Sequence, residues 1–438
     1  MDPTAIIITG TLIFVCLLLL LVLTGMPIAF GLGIVSVGGI VLLLGGVEGL
    51  TFISSTAYIS VTGFTLACVP LYILMGTVIS VSGLGSMLFE GMYKWLSRLP
   101  GSLAVTTTAA CGIFAAVSGS SVATASVMSS MALPAMRKQK YSDTLAAGSI
   151  AAGGTLGILI PPSIPMIIYG IATKTSIGAL FMGGVIPGIV LILLFVAYQV
   201  VAAIKGAAPK TDIVFSWKEK FRALLGIVPF LLLIFFIMGS IYAGVATPTE
   251  AAAIGVIVSI FLGFAYRKLD FRKLWQALRD ATRTTTMLLM IILGAMLFGY
   301  LLTVINFPQA LVGLVQNAGI SRWWVFIVIN IIFIILGCFL EVISIITICA
   351  PVAVPIIILL GFDPVWFGIV MTVNMEMALI TPPVGLNLYV VQAAAPDLPS
   401  AQIIRGVFPF IILMAIEIAL LALFPGIALW LPGKMALM

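Results

Sequence analysis

Apolar residues along this chain come in long runs and seldom alternate with polar ones. The stretches 4–23, 27–45, 64–81, 177–204, 223–243, 249–266, 284–305 and 403–431 each approach or exceed the roughly 20 apolar residues that cross about 30 Å of hydrocarbon as a helix. Two more, 145–170 and 365–392, are as long but are interrupted by glycines and paired prolines. At 84–99 the pattern becomes a stripe. Leu84, Leu88, Phe89, Met92, Trp95, Leu96 and Leu99 share one helical face, and Glu90, Lys94 and Arg98 fall elsewhere. Residues 269–281 repeat it with Phe271, Leu274, Trp275 and Leu278. The stripes predict helices lying in the membrane interface; solvated loop helices are the alternative. The first run starts Met1-Asp2-Pro3, without a basic segment, and leads straight into a second span, unlike a signal peptide.

Composition agrees. Of 438 residues, 62% are hydrophobic and 8% charged, against roughly 25% charged in soluble domains. A net charge of +6 reads as basic cytoplasmic loops, not as a nucleic-acid surface. Cys16, Cys68, Cys111, Cys338 and Cys349 form no CxxC pair, and the chain has no histidine. Zinc and haem sites are thereby disfavoured, and no nucleophile–base constellation is in sight; only Glu341 and Glu376 are placed to act as catalytic acids. The chain reads as an all-α polytopic carrier, not an enzyme.

The basic residues give sidedness. Lys205, Lys210, Lys218, Lys220 and Arg222 crowd one loop, and Arg267, Lys268, Arg272, Lys273, Arg279 and Arg283 another, with two spans between them. Both are assigned to the cytoplasm. Counting back places Arg137, Lys138 and Lys140 there too, with the N-terminus outside. The stretch between Arg98 and Arg137 must then enter and leave by one face. Its arms of about 15 residues span roughly 23 Å as helix, short for a crossing, so it is predicted to be a re-entrant hairpin with Ser118-Gly119-Ser120-Ser121 at its tip.

Shifted by 221, Pro27 falls on Pro248, Pro134 on Pro355, Pro161 on Pro382 and Pro162 on Pro383. LIPPSIP (159–165) overlays ITPPVGL (380–386), and one residue of slip later GVIPGI (184–189) overlays GVFPFI (406–411). The second hairpin is therefore 325–357, flanked by a single basic residue, Arg322. The two copies come out opposite in orientation, a transporter architecture of inverted repeats.

Consecutive prolines remove N–H donors and displace the carbonyl one turn earlier. Helices 145–170 and 365–392 must break there, and such backbone is tolerated where it lines a cavity. The oxygens available are carbonyls and the hydroxyls of Ser118, Ser120, Ser121, Thr155, Ser163 and Thr381, which suit a hard monovalent cation. Helix N-termini suit an anionic substrate group. Most Ser and Thr of 102–130 are assigned to helix packing and the tip to function. Glu341, at the second tip, and Glu376, in the second broken helix, are intramembrane carboxylates. They either cap backbone N–H groups or touch ion or substrate. Glu48 and Glu417 are expected at the interface, and Glu250, after Thr247-Pro248-Thr249, at a helix N-terminus.

The runs 118–170 (SGSSVATASVMSSMALPAMRKQKY through GILIPPSIPMIIYG), 246–255 (ATPTEAAAIG) and 374–390 (NMEMALITPPVGLNLYV) resemble the large membrane permease subunit of TRAP transporters (tripartite ATP-independent periplasmic transporters), and the resemblance runs through nearly the whole chain. It implies a multi-pass protein of the bacterial inner membrane that imports small organic anions such as dicarboxylates, keto acids or sugar acids, driven by Na⁺ through an elevator motion. It also implies a small membrane subunit, here a separate chain because this one begins at the large subunit's first span, and a periplasmic substrate-binding protein. On this chain the implied Na⁺ ligands are Ser118, Gly119, Ser120, Ser121, Gly157, Pro161 and Ser163 in one half and Glu341, Thr347, Thr381, Pro383 and Gly385 in the other. Ser120, Thr155, Glu376, Thr381 and Asn387 are the candidate substrate contacts. The organisation that follows is scaffold and arm helix at 1–101 and a first transport region at 102–176 (hairpin 102–136, broken helix 145–170). More scaffold follows at 177–322, then a second transport region at 323–392 (hairpin 325–357, broken helix 365–392) and a last span in 393–438. A stand-alone ion-coupled anion carrier or exchanger of the same architecture is the alternative.

Overall fold

The computed structural model describes residues 2–43, 53–55, 57, 58, 62–209 and 213–435; Glu48 and Lys210 lie outside them. Among the described residues there is helix and no strand. Eight helices among the described residues are long and apolar enough to cross a membrane. Seven coincide with the apolar runs, and the eighth, Val342–Leu359, is an arm of the second hairpin.

In chain order, α1 (Pro3–Thr24), α2 (Ile28–Leu43) and α3 (Cys68–Ser82) precede the striped helix α4 (Leu84–Leu96). The first hairpin is α5 (Ser102–Ser118) and α6 (Ser121–Lys138). The first broken helix is α7 (Asp143–Thr155) and α8 (Ile164–Thr173). Then come α9 (Ile177–Ala202), α10 (Trp217–Tyr242), α11 (Pro248–Ala265), α12 (Phe271–Val304) and the short α13 (Phe307–Asn317). The second hairpin is α14 (Arg322–Gly337) and α15 (Val342–Leu359), and the second broken helix is α16 (Pro364–Ala378) and α17 (Leu386–Ala394); α18 (Ser400–Leu423) and α19 (Gly426–Met435) end the chain.

The offset of 221 holds element by element. It carries α2 onto α11, α3 onto the second half of α12, and α5–α6 onto α14–α15. It also carries α7–α8 onto α16–α17, and α9 onto α18. Both Pro-Pro bonds are cis. The copies interlock: α2 packs on α12 while α3 packs on α11, α6 packs on α17, and α15 packs on α8. Glycine sets several approaches. A Cβ at Gly148 would fall 2.2 Å from the Gly406 carbonyl oxygen, where α7 meets α18, the close backbone contact that small residues allow between membrane helices.

Several expectations change. The 269–281 stripe is not a separate helix, because nothing between Asp270 and Gly294 breaks the backbone. Asp270 accepts from the Lys273 N–H, and α12 runs on for 34 residues. The 403–431 run is two helices, parted at Phe424 and Pro425. Glu417 is buried, not interfacial, because α18 lies against α16 along that turn; the Trp366 indole N–H donates to the Leu421 carbonyl at 2.7 Å. The striped α4 docks its apolar face on α10, where Trp95 Nε1 donates to the Lys220 carbonyl at 3.1 Å. Thr247 and Glu250 form a reciprocal capping box at the start of α11.

Candidate functional site

The first tip is built by two adjacent residues. Gly119 adopts φ 59°, the left-handed conformation that closes α5, and donates its N–H to Ala115 at 2.9 Å. Ser120 is extended and caps α6, its hydroxyl accepting from the Ala123 N–H. Ser118 Oγ and Thr124 Oγ1 lie 2.9 Å apart, and Thr124 Oγ1 donates to the Ser120 carbonyl at 2.8 Å.

This tip sits in the first break. After α7 a single 3₁₀ turn, Leu156–Ile158, leads to Pro161-Pro162, and Ser163 caps α8 while donating to the Ile158 carbonyl. A Cβ on Gly157 would stand 2.7 Å from the Ser120 carbonyl carbon and oxygen, and one on Gly119 would stand 3.1 Å from the Pro162 oxygen. The N-termini of α6 and α8, each with partial positive charge, therefore converge on Gly119 and Ser120.

The second tip is Cys338–Glu341. Cys338 Sγ donates to the Pro382 carbonyl at 3.3 Å, seating the tip on the second break. Gly385, at φ 56°, opens α17, and a Cβ there would lie 3.2 Å from the Thr381 oxygen. Glu341 stands at the N-cap of α15, but its side chain makes no capping hydrogen bond.

The tips and breaks meet at one cavity of about 270 Å³. Ser118–Ala123 and Ile164 form one side of it, and Glu341–Ile343, Leu379 and Leu386 another. The remaining wall comes from α3 (Ile73, Gly76, Thr77, Ser80) and α12 (Thr284, Met287, Leu288). α3 presses on the tip itself, since a Cβ on Gly76 would fall 2.6 Å from the Ser118 oxygen. Hydroxyls and carbonyls dominate the polar lining, and Glu341 is its one ionisable side chain. Among the described residues no three His, Cys, Asp or Glu gather for a metal. The donor set is neutral oxygen with one carboxylate, which fits a hard cation and not a soft metal.

The sequence-predicted residues divide. Ser118, Gly119, Ser120, Ser121 and Glu341 line the cavity. Gly157 and Ser163 lie directly beneath the first tip, and Thr381 and Gly385 follow Leu379 and precede Leu386 in the second break. Thr347 is buried on α15 and donates back to Ile343. Pro161 faces a separate apolar pocket with Gly112, Ile160 and Ile234, and Pro383 is exposed. Three proposed substrate contacts are fully buried away from the lining. Thr155 donates to the Ala152 carbonyl, and Glu376 makes no hydrogen bond through either oxygen. Asn387 is a clamp: its Nδ2 donates to Ser121 Oγ at 2.8 Å and to the Ala151 carbonyl at 3.0 Å, and Ser121 Oγ approaches its Oδ1 at 3.2 Å. It thus ties the first tip and first broken helix to the second broken helix. The wall of α3 and α12 was not anticipated; hydroxyls within apolar spans, such as Thr77, Ser80 and Thr284, were its sequence signal.

Comparison with known proteins supplies the context. A family described as "Tripartite ATP-independent periplasmic transporter, DctM component" matches residues 15–427. The C4-dicarboxylate TRAP transporter large permease protein DctM of Pseudomonas aeruginosa is 39% identical over 84% of this chain and 86% of its own length. The protein of the same name from Vibrio cholerae is 35% identical over 94% of this chain and 95% of its own. Among solved structures, the Alcanivorax borkumensis YdaH transporter shares the fold at a TM-score of 0.63 and 14% identity, covering 87% of this chain and 90% of that one.

Proposed function

This chain belongs to the DctM component family of tripartite ATP-independent periplasmic transporters, as a multi-pass permease of the bacterial inner membrane, and from that premise we propose that it imports a small organic acid coupled to sodium. The observation that carries the reading is the cavity. Both re-entrant tips and both helix breaks face it, and its far wall belongs to helices outside that group.

One sodium ion is held by Ser118–Ser121 with the Gly157–Ser163 break, the other by the Glu341–Thr347 segment with the Thr381–Gly385 break. Hydroxyls that already donate to a carbonyl, as Ser163 and Thr381 do, keep lone pairs free for a cation. The substrate carboxylate rests between the tips, near Ser120, where the N-termini of α6 and α8 favour negative charge. The two hairpins and two broken helices, clamped by Asn387, move as one body past α3 and α12 and carry the cavity from one face to the other. A body that slides needs its cargo at the sliding boundary, and a cavity lined by the tips and breaks on one side and by α3 and α12 on the other supports that reading. A C4-dicarboxylate, named for the P. aeruginosa and V. cholerae relatives, is the first substrate to try. Capture and most selectivity fall to a periplasmic binding protein, and a small membrane subunit covers part of the lateral apolar surface.

The test is succinate uptake into proteoliposomes holding this chain, its small subunit and the loaded binding protein. Uptake is expected with an inward sodium gradient, to vanish in choline, and to be slight with the chain alone. Full uptake on a pH gradient in sodium-free buffer would refute sodium coupling. Robust uptake by the chain alone would refute the dependence on partners and leave a stand-alone carrier.

A further inference from the structure

Lys220, in the first turn of α10, is the one basic side chain among the described residues that is buried, at 7% exposure. Packing of α4 covers it. The two helices run antiparallel: the Trp95 indole N–H donates to the Lys220 carbonyl, a Cβ on Gly91 would stand 2.8 Å from the Ala223 carbonyl oxygen, and one on Gly226 would stand 2.3 Å from that of Met87. The Lys220 nitrogen lies over the Trp95 and Trp217 rings, 6.0 and 5.3 Å from their centroids. Among the described residues it has no hydrogen-bond acceptor and no ion pair, yet it is not sealed from the surface. Two indole faces return only part of the hydration that a buried ammonium gives up, so its charge is free to hold an anion. The nearby carboxylates do not supply one. Glu219 spends its own on the Ser216 N–H and hydroxyl, at 2.8 and 2.7 Å, and Glu90 is exposed on α4 without an ion pair.

Lys218 and Arg222, two residues to either side of Lys220, are exposed. From this basic corner Trp217, Phe221, Leu225, Val228 and Leu232, all exposed, form one apolar stripe down α10. Phe221 to Leu232 spans about 17 Å of helix, the depth of one leaflet of a hydrocarbon core about 30 Å thick. A buried cation beside tryptophans, at the head of a leaflet-long apolar stripe, matches a phospholipid in both charge and length. We infer that the corner between α4 and α10 binds one anionic glycerophospholipid of the cytoplasmic leaflet, its phosphate on Lys220 with Lys218 and Arg222 beside it and an acyl chain along the stripe. α4 leads through residues 97–101 into the first hairpin, so this lipid pins to α10 the arm from which that hairpin hangs. The inference rests on the cytoplasmic assignment of the 205–222 loop and is independent of the sodium reading.

The test is native mass spectrometry of the full chain, delipidated in detergent and titrated with phosphatidylglycerol or phosphatidylcholine of the same acyl chains. Wild type is expected to hold one phosphatidylglycerol at least tenfold more tightly than phosphatidylcholine. One basic side chain facing an anionic headgroup is worth about fivefold. Lys220→Met, which keeps an unbranched stem between the rings, is therefore expected to lose at least fivefold of that preference, and Lys220→Arg to stay within twofold of wild type. If Lys220→Met does not fold, Lys218→Gln combined with Arg222→Gln, both on the exposed surface, is expected to cut the preference at least threefold with an unchanged melting temperature in lipid-free detergent. Equal retention of the two lipids by wild type, or a wild-type preference in the folded variant, overturns the inference. Displacement of phosphatidylglycerol by inorganic phosphate at matched concentration also overturns it, leaving a plain anion site. So does loss of the lipid when a small membrane subunit binds, because the stripe is then a protein interface.

Discussion

Gly157→Ala adds one methyl group under the first tip. That carbon would stand 2.7 Å from the carbonyl carbon and oxygen of Ser120 and 2.9 Å from the Ser121 nitrogen, all of them backbone. Ordinary contact begins near 3.4 Å, so the tip must lift by about 0.7 Å. It has little room to do so. Gly76 of α3 presses on Ser118 from the cavity side, Gly119 rests against Pro162, and Ser121 is held by Asn387. Overpacking of this kind costs about 1–3 kcal/mol. If the sodium-bound state bears the whole of it, half-saturation by sodium rises about 5- to 150-fold, at about 1.4 kcal/mol per tenfold. The assay is the sodium dependence of thermal stabilisation, followed by that of uptake in the reconstituted complex. Gly33→Ala is the control, since a Cβ there meets nothing within 4 Å. Wild-type sodium dependence in a folded Gly157→Ala protein would refute the placement of an ion between tip and break.

Three further outcomes are expected. A double-mutant cycle of Asn387→Ala and Ser121→Ala, read by unfolding in detergent, should show a coupling of about 0.6–2 kcal/mol; additivity within error would mean that the clamp stabilises nothing. Arg137, hydrogen-bonded through two nitrogens to both oxygens of Asp397, holds that exposed carboxyl below the usual carboxylate range. Its contribution is therefore present above the normal Asp pKa near about 3.9 and is lost as pH falls through the depressed value. Asp397→Asn should flatten the acid limb of melting temperature against pH, and an unchanged limb would exclude the pair. Single cysteines at Thr4 and Ser142, in a chain whose five cysteines are replaced, should label from opposite faces; labelling of both from outside would sink the inverted topology.

The repeat was legible because prolines and glycines punctuate a membrane chain: Pro161-Pro162 and Pro382-Pro383 located both breaks, and each hairpin followed from its distance to them. What could not be read was which way a buried side chain faces. Thr155 and Asn387 are fully buried on apolar helices whose sequence carries no polar face to mark an outside, and one helical step separates lining a cavity from bonding to a neighbour. Glu417 looked interfacial because it lies near the end of an apolar run, and only the packing of α16 on α18 shows it covered. The merging of 269–281 into α12 was hidden because charge density changes at Arg283 while helix propensity does not.

The clamp between Ser121 and Asn387 joins positions 266 residues apart. A ribosome adding about 5–20 residues per second takes roughly 13 to 53 seconds between the two. During that interval the first hairpin can already rest on α3, α4, α7 and α9, but the α17 surface on which α6 will lie has not been made. The first tip therefore stays unclamped until the second broken helix is made, and a nascent chain arrested before α17 carries an unfinished transport region, a natural target for membrane quality control.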